Sequence, residues 1–123
     1  MATFKRFEDI QAWQKVRQTA RMVYEVTAEG RFSRDFALSN QIQRASVSIM
    51  ANIAEGFGRH SDKEFANFLN IAHGSASEVQ SHLYVTLDLK YIDQDSFTNL
   101  YKMLDEVSRM TLAPAQHLRA SKL

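Results

Sequence analysis

The chain has 123 residues, 45% of them hydrophobic and 24% charged, with one proline, four glycines and no cysteine. That length supports one domain around one hydrophobic core, and the lack of cysteine excludes a disulfide framework, a thiolate zinc site and a cysteine nucleophile. A net charge of +1 is too small for bulk charge alone to hold a polyanion, and so few turn residues disfavour a many-stranded fold.

The opening MATFKRFEDIQ carries charge where a secretory signal needs a continuous apolar stretch, and no apolar run approaches the ~18 residues that cross a bilayer. A soluble, cytoplasmic protein with no membrane partner is the expectation. The first helix is expected over about 8–29, with Ile10, Trp13, Val16, Ala20, Val23 and either Tyr24 or Val26 on its apolar stripe and Gly30 just past its end. A second is expected over about 35–57, with Leu38, Ile42, Ala45, Ile49 and Ile53 on one stripe and Gly56 and Gly58 stopping it. The third, about 61–90, starts at Ser61 with Glu64 three residues on, the pattern of a capping box. Its stripe is Phe65, Phe68, Leu69, Ala72, Ala76, Val79, Leu83 and Leu87. The fourth, about 95–113, begins near Asp95 or Ser96 and uses Phe97, Leu100, Tyr101, Leu104, Val107 and Thr111; Pro114, which lacks an N–H, should kink or end it. Long helices with short connections pack antiparallel on their sequence neighbours. The fold expected is therefore all-α, an antiparallel up-down-up-down four-helix bundle forming a single domain.

Beside the apolar stripe of the second helix, Gln41, Arg44, Ser48, Asn52, Glu55 and Arg59 form a polar line at helical spacing. The third helix carries Glu64, Asn67, Ser75, Glu78 and His82, with Gly74 where two backbones could approach. A hairpin turning near 58–61 sets Arg44 level with Ser75 to Glu78, so an Arg44–Glu78 ion pair and hydrogen bonds from Asn52 to the third helix are expected. The line either sets helix register or binds a ligand or partner. Val47, Met50 and Ala54, with Ile71 and Val85, form a second set of apolar positions off the main stripes, which favours burial against another subunit.

Catalytic and metal chemistry lack their residues. Glu78 and His82 are one residue too far apart for the Glu-x-x-His pair of a di-iron bundle, and no second copy exists; His60, His73 and His117 stand alone. His73 and Ser75 project from different helix faces with no third residue to orient them. Gly56-Phe57-Gly58 follows no strand, so it is a helix stop and not a phosphate-cradling loop. No enzyme, cofactor or metal site is expected. The basic positions remain: Lys5, Arg6, Lys15, Arg17 and Arg21 on the first helix and its approach, with Arg59, His60 and Lys63 at the second turn. They either contact nucleic-acid phosphates or form a solvated face. Trp13 is expected in the core and not as a base-stacking platform.

The segments RASVSIMANIAEGFGR (44–59) and EFANFLNIAHGSASE (64–78), with FEDIQAWQKV at the start, resemble the four-helix-bundle proteins encoded in intervening sequences of bacterial 23S ribosomal RNA genes. The likeness runs from about Phe7 to Leu112. It carries over Arg44, Asn52, Glu55, Gly56, Arg59, Glu64, Phe65, Phe68, Leu69, Gly74, Ser75 and Glu78 as motif residues. The resemblance implies a ring-like homopentamer. It also implies kinship with the accessory variability proteins of diversity-generating retroelements, which bind a reverse transcriptase and nucleic acid. Two functions follow as expectations: a non-enzymatic oligomer that associates with RNA or DNA, or a scaffold for a polymerase or other protein.

Overall fold

The computed structural model describes residues 4–120, with side chains as far as Ala115. Four helices form a ring in which each packs on two neighbours: α1 (Gln11–Thr27), α2 (Phe36–Gly58), α3 (Asp62–Asp88) and α4 (Gln94–Ala120). The α2–α3 and α3–α4 contacts are the most extensive, and α1 closes the ring against α2 and α4. This is the all-α four-helix bundle the periodicity predicts, and no strand occurs among the described residues.

The stripes meet along the bundle axis. Val16 and Val23 of α1, Ile42, Ile49 and Ile53 of α2, Val79 and Leu83 of α3, and Leu104 and Val107 of α4 are fully buried. Each contributes on the order of 1.5–3 kcal/mol relative to exposure. On α1 the choice between Tyr24 and Val26 falls to Val26, which packs on the core while Tyr24 is exposed. Periodicity missed the buried hydroxyls. Thr19 and Thr86 sit in the core because each donates back to a carbonyl of the preceding turn, Lys15 and Leu83 respectively. Thr111 shares its proton with Val107 and Ser108. With that bond made, burial of the hydroxyl carries little penalty.

Five local expectations are corrected. The first helix does not begin at Glu8: Phe7–Asp9 form one 3₁₀ turn, and extended Ile10 separates it from α1. The fourth begins at Gln94, because the Asp93 carboxylate accepts the Ser96 N–H at 2.8 Å and so caps it. Gly56 does not stop α2. It lies buried inside the helix, where an added Cβ would stand 2.6 Å from the Phe68 Cβ, so it marks a close approach of α2 and α3. Gly74, expected to serve that purpose, faces open space. Pro114 does not end α4, which continues to Ala120. The proline forfeits one intrahelical bond, and Ala115, 1% exposed, anchors the following turn in the core.

The chain reverses three times. Between α1 and α2, Gly30 takes φ +53 and Asp35 caps α2 by accepting the Leu38 N–H. Between α2 and α3, His60 takes the left-handed conformation, and Ser61 Oγ accepts the Glu64 N–H. The Glu64 carboxylate lies 3.8 Å from the Arg59 guanidinium. The third reversal uses Lys90 at φ +60. The first and third reversals lie at one end of the bundle and are tied together. Tyr91 Oη donates to Asp35 Oδ2 at 2.9 Å, and its ring stacks on Phe32 with centroids 5.1 Å apart. Arg31 lies over the same ring and donates to the Leu89 carbonyl.

Candidate nucleic-acid interface

The up-down topology brings the start of α1, with Lys5, Arg6 and Lys15 near it, to the same end of the bundle as the α2–α3 turn with Arg59, His60 and Lys63, while Arg17 and Arg21 lie further along α1. Three of them, Arg6, Lys15 and Arg59, are paired with carboxylates. Arg6 pairs with Glu8 at 2.8 Å. A backbone N–H bond within Glu8, followed by the Arg6 guanidinium, holds that carboxyl below its ordinary range. Lys15 reaches across to Glu106 of α4 at 3.4 Å. Arg59 pairs with Glu55 at 2.9 Å and lies over the Phe68 ring. Lys5, His60 and Lys63 are exposed.

Arg17 and Arg21 differ from these in lining a groove. Both are exposed on α1, one turn apart, and neither forms an ion pair with a carboxylate among the described residues. With Trp13, Gln14 and Gln18 they line a groove of about 360 Å³. The Trp13 ring, expected in the core, is half-buried and packs against its edge. Phe7 packs against it edge to face, with centroids 5.1 Å apart and planes at 67°, and the Arg17 guanidinium stands 6.0 Å over its centroid. Gln14 is held by a bond from its Nε2 to the Glu8 carbonyl. The 3₁₀ turn that periodicity overlooked therefore serves the groove, because it supplies both Phe7 and Glu8.

The polar line is mainly a packing device. Ser48 Oγ and Ser75 Oγ meet across α2 and α3 at 3.1 Å, close to the register expected. Asn52 Nδ2 donates to the carbonyl and hydroxyl of Ser48 and braces that contact. The expected Arg44–Glu78 pair does not form: Arg44 is exposed, and Glu78 turns along its own helix to His82 Nε2 at 3.3 Å. Levelness in a hairpin fixes height but not azimuth, and these two side chains diverge. Glu55, Arg59 and Glu64 form a charged clamp over the α2–α3 turn.

Of the off-stripe apolar residues, Val47, Ile71 and Val85 are exposed, Ile71 by 51%. Met50 and Ala54 are half-buried, and Met50 packs on the core. Sequence patterning did not flag Phe36, 73% exposed, or Tyr84, 50% exposed. Tyr84 packs on Phe97 and Tyr101, and its hydrogen bond to Tyr101 raises the Tyr101 hydroxyl above its usual range. Among the described residues no three His, Asp or Glu side chains converge, and no helix is long and apolar enough to cross a membrane. The His117 side chain lies outside the described residues.

No curated protein matches the chain. Among solved structures it is similar to a protein of unknown function from the S23 ribosomal protein family of Bacteroides thetaiotaomicron VPI-5482. The two share 26% identity and a TM-score of 0.77, over 85% of this chain and 95% of the other. The family model for the 23S rRNA-intervening sequence protein matches residues 8–113. With that match spanning all but the ends of the bundle, the chain belongs to the 23S rRNA-intervening sequence protein family.

Proposed function

We propose that this protein is a non-enzymatic, cytoplasmic homo-oligomer that associates with RNA or DNA through the exposed face of α1. The observation that carries the reading is the pair Arg17 and Arg21, left without carboxylate partners in a groove whose neighbouring cations are neutralised. Two uncompensated guanidiniums one turn apart suit phosphate oxygens, and an oligomer repeats the pair around its ring, multiplying weak contacts. The family's association with ribosomal RNA intervening sequences lends this weight, and the pentamer implied by the resemblance is the assembly proposed. The test is binding of a short structured RNA, followed by anisotropy across a salt series. Affinity should fall steeply with salt, and the Arg17→Ala, Arg21→Ala double variant should flatten the logarithmic salt slope by about 2, near 0.9 per lost phosphate contact. Affinity that persists in high salt would count against the proposal. Light scattering of the native particle tests the oligomer.

The exposed Val47, Ile71 and Val85 favour a second reading, a scaffold that docks a polymerase or another protein on an apolar face. Co-purification that survives nuclease treatment, with an α1 face indifferent to RNA, would select it.

A further inference from the structure

We infer that the α1 groove accepts an unpaired nucleic-acid strand in preference to a duplex, with one base stacked on Trp13 and the flanking phosphates on Arg17 and Arg21. This deepens the nucleic-acid reading above and rests on it. The indole is held in place before any ligand arrives: Phe7 fixes it edge to face, and its inner part packs on the core. An immobilised aromatic surface loses little side-chain freedom on binding. Its accessible face already carries a flat cation, the Arg17 guanidinium. A base is also flat and can occupy that place, releasing the guanidinium to a phosphate. Arg21 lies four residues further along, a rise of about 6 Å on the same face, which suits the next phosphate of an extended strand. The groove's 360 Å³ falls at the lower end of sites that hold a small organic group, enough for a single base. Gln14 is committed to the Glu8 carbonyl, so Gln18 is the freer amide for a base edge. A duplex keeps its bases stacked inward and would meet only the arginines, whereas single strands are bound through stacking platforms combined with cationic tracks.

Trp13 is the only tryptophan in the chain, so intrinsic fluorescence reports on this one ring. The full chain is titrated at low salt with end-labelled oligouridylate, oligodeoxythymidylate and a blunt-ended RNA duplex of two complementary strands, recording tryptophan emission and label anisotropy together. At least one of the single strands should bind and quench Trp13, and the duplex should bind without quenching. Trp13→Ala should weaken the quenching strand by roughly 5- to 150-fold, the range that stacking one base is worth, and leave the duplex unchanged. Trp13→Tyr, which keeps an aromatic ring, should recover most of the loss, with helix content by circular dichroism confirming that both variants fold. The wild-type quench needs no variant and stands if either fails to fold. Equal affinity for strand and duplex without quenching would overturn the stacking assignment and leave the arginine contacts standing. Binding to none of the three probes would overturn the nucleic-acid reading itself, and this inference with it.

Discussion

Gly56 and Gly74 look alike in the sequence, each a glycine within a helical pattern, yet their surroundings are opposite. At Gly56 an added methyl would collide with the Phe68 Cβ, an atom fixed to the backbone and unable to rotate away. Gly56→Ala should therefore cost about 1–3 kcal/mol by overpacking, despite alanine's better helix propensity. Gly74 faces open space, so Gly74→Ala should stabilise by about 0.8–1 kcal/mol. Denaturant unfolding of the two variants should give shifts of opposite sign; two losses would contradict the close-approach assignment. The sequence placed these roles the other way round, because propensity reports what a glycine permits and not what stands across from it. Arg44 and Glu78 make the same point for charge. Since they do not pair, substituting both should give the sum of the single effects within about 0.3–0.5 kcal/mol. A larger coupling would restore the ion pair.

Helix stripes were the most legible feature, because burial of one face against two neighbouring helices imposes a 3.6-residue period that few other arrangements produce. Element ends were read less well. Ser61 was recognised as a cap, and Ser61→Ala should destabilise the protein by about 0.5–2 kcal/mol in thermal unfolding. Asp93 was missed, since the apolar pattern starts only at Phe97. Its carboxyl is held below the usual range, first by the Ser96 backbone N–H and then by the Ser96 hydroxyl. A depressed folded value means its stabilisation is present above the ordinary carboxylate pKa and is lost as pH falls through the folded one. Asp93→Asn, an uncharged cap, should flatten the acid side of the melting-temperature profile; an unchanged profile would argue against the charged cap. Of the two outcomes expected at Pro114, an end to the helix does not occur: local chemistry disfavours proline there, and tertiary burial of Ala115 holds the following turn in the helix.

At the level of the whole molecule, the four-helix topology followed from long helices and short connections, but the distribution of free charge did not. Lys15 and Glu106 lie far apart in sequence and meet only because α1 packs on α4, so a list of cations overstated the basic surface until the ring was assembled. Arg17 and Arg21 were legible as an outward pair. The groove beside them was not, because the 3₁₀ turn that props Trp13 has no periodic signature. The tie between the two reversals at the other end of the bundle bears on kinetics. Asp35 and Tyr91 belong to different hairpins, α1–α2 and α3–α4, and their bond spans 56 residues. Such a contact carries a large loop-closure cost until both hairpins have docked, so it should form after the rate-limiting step of folding. Tyr91→Phe should then speed unfolding and leave the refolding rate nearly unchanged in a stopped-flow chevron. The tie is in this sense a clasp: it holds the assembled molecule shut without guiding its assembly, and its removal shortens the lifetime of the native state.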